Sequence, residues 1–298
     1  MTTLSLTGRV PELPDSFTPS YRAGRGTPLV LLHGATMSWR AWRPVLPFLV
    51  GRHDVFVPTL VGHRGGPSLA PDARPGMDAI VDVLCEQLDE AGIETAHLAG
   101  NSLGGWVALE LARRGRARSV IGFSPAGAWR TRRDLERLVW LFRTARAGLG
   151  NPRLGPLVRN GVLQRLGLTR VASHPGRIPA EDVREMIADM VGCDVFDRMF
   201  GGEHDGLGLA PFDVAHCPVH IAWALRDRVI SYRRFGRPMR ELIPGAQFSM
   251  LPGVGHLPMY DDPRLVARTI LELTSSVDAA NQVEPPLRPA RRSRRRSA

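Results

Sequence analysis

The sequence predicts an α/β fold, a mostly parallel central sheet flanked by helices and carrying a helical insertion. Three observations predict it. Strand and helix signals alternate between residues 29 and 125, which is how a parallel sheet covered on both faces is written. From 126 to 212 the signals are only helical. The strand and helix alternation then returns.

The elements follow in order. The first 28 residues are weakly patterned, with prolines at Pro11, Pro14, Pro19 and Pro28, and predict at most short edge strands. Leu29-Val30-Leu31-Leu32 is a short apolar run ending at His33-Gly34, a buried strand entering a loop. Asp54 to Val57 is a second strand. Met77, Ile80, Val81, Leu84, Leu88 and Ala91 recur at helical spacing, and Gly92 follows as a stop. Ala96 to Ala99 is a third strand, followed by a helix striped with Leu103, Val107 and Leu111. Ser119 to Phe123 is a fourth strand. Within the insertion, Leu135, Leu138, Val139 and Phe142 form one stripe, and Val183, Met186, Ile187 and Met190 another. After it, Val219 to Trp223 and Phe248 to Leu251 are strands. Ser231 to Leu242 and residues 263–274 are helices. The organisation is therefore a core in two parts, 1–125 and 213–276, a helical cap at 126–212, and an Arg-rich tail at 277–298 with nothing to bury, expected to be disordered.

Composition narrows the function. The chain has 298 residues, enough for one large domain or a domain with an insertion. No apolar run approaches the ~20 residues of a membrane-spanning helix, and the start lacks the pattern of a secretory signal. A cytoplasmic chain is expected. Cys85, Cys193 and Cys217 are odd in number and far apart, which predicts free thiols rather than a disulfide framework. The formal charge is +10, and all 39 basic residues are arginine. Six of them lie between Arg288 and Arg296, without aromatic residues on which bases would stack. No nucleic-acid partner is expected, though the tail leaves weak polyanion binding open. Glu203-His204-Asp205 and His216-Cys217 lack the spaced partners of a metal site, so no metal and no cofactor are expected.

The strongest chemical signal is Gly100-Asn101-Ser102-Leu103-Gly104-Gly105. It fits G-x-S-x-G between a strand and a helix, the nucleophile elbow. A serine on so sharp a turn needs glycines at 100 and 104, because side chains there would collide with neighbouring backbone. The helix that starts beside it aims unpaired N–H groups and a positive dipole end at the same spot.

On these residues the chain resembles the α/β-hydrolase fold superfamily, over roughly residues 27 to 275. Leu31-Leu32-His33-Gly34 resembles the family's strand and His-Gly loop. The resemblance implies an oxyanion hole made by the backbone N–H groups of Ala35 and Leu103, each worth about 3 kcal/mol in comparable sites. His33 is expected to fix the loop rather than move protons. Asp227, in Ala222-Trp223-Ala224-Leu225-Arg226-Asp227-Arg228, resembles the triad carboxylate. Asp213, Asp261 and Asp262 compete for that role, but none follows a strand in this way. His256, in Gly253-Val254-Gly255-His256-Leu257-Pro258, resembles the general base. The resemblance also implies a helical cap between the sixth and seventh strands of the sheet, where 126–212 falls. Two features depart from the family. Thr59 stands where many relatives have Asp, and the first 28 residues lack a clear hairpin.

The expected function is a serine hydrolase in which Ser102, Asp227 and His256 act on a small or medium apolar ester. Trp140, Phe142, Met186, Met190, Phe196, Met199 and Phe200 are candidates for the pocket lining. Alternatives are cleavage of a C–C bond in ring-opened aromatic compounds, acyl transfer, cofactor-free haloperoxidase-type chemistry, and a non-catalytic small-molecule-binding protein. A serine nucleophile argues against epoxide opening and dehalogenation, which use a carboxylate.

Overall fold

The computed structural model describes residues 18–69, 76–154, 160–193, 208–214 and 217–283. Seven strands form one sheet in the order β1-β3-β2-β4-β5-β6-β7. These are β1 (Ser20–Gly24), β2 (Thr27–Leu32), β3 (His53–Pro58), β4 (Ala96–Asn101), β5 (Ala117–Phe123), β6 (Val219–Ala224) and β7 (Gln247–Leu251). β1 pairs antiparallel with β3, and every other pairing is parallel. The weakly patterned start therefore does supply an edge strand, which begins at Ser20, just after Pro19.

The inner strands β2 to β6 are largely buried on both faces, as their apolar runs require. Val30 and Leu32 of β2 join one core with helices α1 (Met77–Glu90) and α2 (Leu103–Arg113). Leu29 and Leu31 point the opposite way. They join a second core with Trp39, Trp42 and helix α8 (Pro263–Val283). Gly92 ends α1 with φ at +69°, a conformation glycine adopts at low cost.

Between β5 and β6 the described residues hold only helices. They are α3 (Arg132–Leu149), α4 (Gly161–Leu168) and α5 (Ala180–Val191), with short 3-10 turns. The insertion thus follows the fifth described strand in chain order. Ion pairs seat α5 on the core. Arg43 meets Asp182 at 2.9 Å, and Arg64 meets Glu185 at 3.1 Å and Asp189 at 3.0 Å. Ser38 Oγ donates to Asp189 at 2.5 Å. Burial holds the Asp189 carboxyl above the usual carboxylate range despite these partners.

Two elements differ from the sequence expectation. The helix predicted over Ser231 to Leu242 is broken into a π turn at Tyr232–Gly236 and helix α6 (Arg237–Leu242). Pro238 has no N–H to continue the ladder through that point. A one-turn helix, α7 (Pro258–Asp261), comes between β7 and α8. The closing helix does not stop near 274, and the tail boundary at 277 falls inside α8, which runs to Val283. Ser275-Ser276-Val277-Asp278-Ala279-Ala280 contains no helix breaker. Asp278 also gives this turn partners in the core. His97 Nε2 meets its carboxylate at 3.1 Å, and Arg118 donates to it at 3.4 Å. The Arg-rich residues beyond Val283 lie outside the described residues. No described helix is long and apolar enough to cross a membrane.

His33, His53, His63, His97 and His220 are buried, and burial lowers the pKa of each. His63 is lowered to about 4. A depressed folded-state pKa means that protons bind the unfolded chain first. The stability is therefore full above pH ~6.5 and is lost as pH falls toward about 4, by about 3 kcal/mol from His63 alone. Urea midpoints should fall steadily from pH 7 to pH 4.5. A flat profile would contradict neutral burial of these rings.

Candidate active site

Ser102 stands between the end of β4 and the start of α2, with φ 55° and ψ −115°. A non-glycine residue held at positive φ is strained, and the surrounding contacts must hold it there. A Cβ on Gly100 would lie 2.1 Å from Gly104 O, and one on Gly104 would lie 2.2 Å from Leu32 O. Both glycines are thus required by the close approach of backbone, as the motif implies. Ser102 N–H donates to Phe123 O at 3.0 Å, which fixes the turn against β5.

The loop after β2 presses on this turn. A Cβ on Gly34 would lie 3.4 Å from Ser102 Cβ and 3.2 Å from Asn101 Oδ1. Ala35 follows, half-buried, and Thr36 turns the chain with φ 63°. Leu103 is the first residue of α2, whose amide has no intrahelical acceptor. Among the described residues, the N–H groups of Ala35 and Leu103 donate to no protein acceptor. His33 is fully buried. Its Nε2 accepts from Leu60 N–H at 2.9 Å, so Nδ1 carries the proton and donates to Gly34 O at 2.8 Å. Burial and the neighbouring His63 hold His33 well below its usual pKa. It is a neutral brace for the loop.

Asp227 follows β6 and His256 follows β7, so both lie at the carboxyl ends of the strands, as Ser102 and Ala35 do. His256 Nδ1 donates to Asp227 Oδ2 at 2.7 Å. Asp227 Oδ1 accepts from Val229 N–H at 2.9 Å and Ile230 N–H at 2.8 Å. Every donor therefore stabilises an ionised carboxylate. With Nδ1 as donor, His256 Nε2 is left as the basic nitrogen.

Two residues hold the histidine loop in ways that the sequence reading did not assign to them. Asn101 Nδ2 donates to Phe123 O at 3.2 Å and to His256 O at 3.0 Å, joining the serine turn to the histidine loop. Asp261, a competitor for the triad role, is committed elsewhere. It accepts from the N–H groups of Gly255, Ser173 and His174 at 2.7, 2.8 and 2.7 Å. It ties the histidine loop to the insertion. Asp262 accepts from Leu265 N–H at 2.9 Å and caps α8.

A largely apolar cavity of about 450 Å³ lies among α3, α4 and α5. Phe142, Met186 and Met190 line it, and so does Val229, beside Asp227. Trp140 does not line this cavity and is 67% exposed. On α3 the buried stripe runs through Leu135 and Val139, and the next residue points about 100° away. Phe196, Met199 and Phe200 lie outside the described residues, as do Glu203, His204, Asp205 and His216. Among the described residues no group of three His, Cys, Asp or Glu side chains could hold a metal ion.

Replacing Asn101 by alanine leaves His256 O without its donor inside the core and takes one of two donors from Phe123 O. Asn101→Ala should lower unfolding free energy by about 1–3 kcal/mol in urea titrations. An unchanged midpoint would remove Asn101 from this role.

Comparison with known proteins agrees with the architecture. The alpha/beta hydrolase family matches residues 29–269. The chain is 33% identical over 199 residues to the epoxide hydrolase EphH of Mycobacterium tuberculosis, spanning 64% of this chain and 91% of that protein. In fold it is similar to a thermophilic esterase from Thermogutta terrifontis, with 23% identity and a TM-score of 0.64 over 87% of this chain and 93% of that one. It is also similar to a Bacillus megaterium epoxide hydrolase, with 15% identity and a TM-score of 0.66 over 86% of this chain and 96% of that one. With its seven-stranded sheet, its elbow and its matched span, the chain belongs to the alpha/beta hydrolase family.

Proposed function

We propose that this hydrolase is a serine esterase that cleaves a small or medium apolar ester through an acyl-enzyme, with Ser102 as nucleophile, His256 as base and Asp227 as its orienting carboxylate. The observation that carries the reading is the 2.7 Å bond from His256 Nδ1 to Asp227, set beside a serine in a strained turn. Ser102 Oγ attacks the carbonyl carbon and its proton passes to His256 Nε2. The N–H groups of Ala35 and Leu103 hold the oxyanion. His256 then protonates the departing alcohol. Water, deprotonated by His256, attacks the acyl carbon and releases the acid and Ser102.

Two of the proteins named above are epoxide hydrolases, and the residue at the elbow argues against that chemistry here. Covalent epoxide hydrolysis needs a nucleophile whose alkyl adduct is an ester, since water then regenerates the enzyme at the acyl carbon. A serine oxygen would form an ether that has no such route back. The elbow residue of this chain is Ser102. We further propose that the helices between 126 and 212 act as a cap, with Phe142, Met186 and Met190 receiving the apolar part of the substrate.

A fluorescent fluorophosphonate should label the wild type and not Ser102→Ala. p-Nitrophenyl esters of graded chain length should be hydrolysed, with kcat falling about 10⁴-fold in Asp227→Asn. A folded wild type that neither labels nor hydrolyses any chain length would favour a binding role instead.

A further inference from the structure

Beside the apolar cavity lies a second cleft of about 370 Å³. Four arginines line it, Arg137, Arg170, Arg228 and Arg234, against one carboxylate, Asp134. Asp134 is already engaged. It pairs with Arg234 and accepts the Thr131 N–H at 3.0 Å. Burial opposes its charge, but these partners win and hold its pKa below the usual value. Arg228 is anchored by donating to Thr169 O at 3.0 Å. Among the described residues, Arg137 and Arg170 pair with no carboxylate. The cleft therefore gathers three cations whose charge no neighbouring side chain offsets, in a concave site where an anion would be partly shielded from water.

The two concavities are neighbours with shared walls. Leu141, Arg170 and Val229 line both. Val229 is also one of the two amides that hold Asp227. An apolar cavity side by side with an arginine cleft, next to the loop carrying the triad acid, suits one shape of molecule. We propose that the hydrolase binds an anionic amphiphile, with its apolar chain in the cavity and its phosphate or carboxylate group on Arg137, Arg170 and Arg228. This names the substrate class for the proposed esterase and rests on that reading only for turnover. The binding itself is measured separately. Arginine suits the role, since its planar fork meets two oxygens of a phosphate or carboxylate at once.

The test is isothermal titration of full-length Ser102→Ala protein, which binds without turning over, with decyl phosphate below its micelle concentration and with 1-decanol. Decyl phosphate should bind about tenfold more tightly, with the advantage shrinking as salt is raised. Arg137→Gln and Arg170→Gln should each remove most of that advantage, and Arg137→Gln, outside the apolar cavity, should leave 1-decanol binding unchanged. Arg153→Gln, an exposed arginine of the insertion outside the cleft, should leave both unchanged. Equal affinity for the two probes, or loss of the advantage in Arg153→Gln to the same extent, overturns the proposal. Phosphatidylglycerol vesicles separate the sources of the anion. Retention of the protein on vesicles that is insensitive to Arg137→Gln and Arg170→Gln, together with no binding of decyl phosphate, would place the anion contact elsewhere on the chain. Tight decyl phosphate binding by a protein that hydrolyses no ester would leave this proposal standing and remove the esterase reading.

Discussion

The site depends on one close approach of backbone to backbone. The turn at 100–104 is so tight, and so near the end of β2, that a methyl group at Gly100 would stand 2.1 Å from Gly104 O and one at Gly104 would stand 2.2 Å from Leu32 O. That approach forces Ser102 into a positive φ and presents its side chain beyond the ends of the strands. It also sets the first amide of α2 beside the Gly34-Ala35 loop, where two unpaired donors flank the serine. The strained turn is held by Ser102 N–H on Phe123 O and by Asn101 on the His256 loop. The cost of the strain, of order 1–3 kcal/mol at such positions, is thus offset by contacts from three different strand ends.

Charge is distributed unevenly around this centre. The acids of α5 are drawn onto the core through Arg43, Arg64 and Ser38, and Ser38 lies in the same loop as Ala35. The insertion and the loop that holds Gly34, Ala35 and Ser38 are therefore in direct contact. Asp261 makes a second link, from the insertion to the residue before His256. On α3 and at the end of α4 the balance is reversed. There arginines outnumber acids and face a cleft.

The sheet was legible because its inner parallel strands, buried on both faces, are written as largely apolar runs such as Leu29 to Leu32 or Val219 to Trp223. Gly100 and Gly104 were legible because their steric reason is local to the turn. What escaped the sequence was decided by distant partners. Asn101 meets His256 across 155 positions, and Asp261 meets Ser173 across 88. No periodicity announces such pairs. The extension of the last helix to Val283 escaped for the same reason, since Asp278 looks like a solvated acid until His97 is beside it. Trp140 lies on the arginine cleft and not on the apolar cavity. Its angular position on α3, one residue beyond Val139, sends it outward.

The most direct measurement of the central claim is mass spectrometry of the protein quenched in acid during turnover of p-nitrophenyl hexanoate. The account predicts a hexanoyl increment on the intact chain and, after digestion, on Ser102 alone. Ester consumed with Ser102 unmodified, or an increment on another residue, would contradict it.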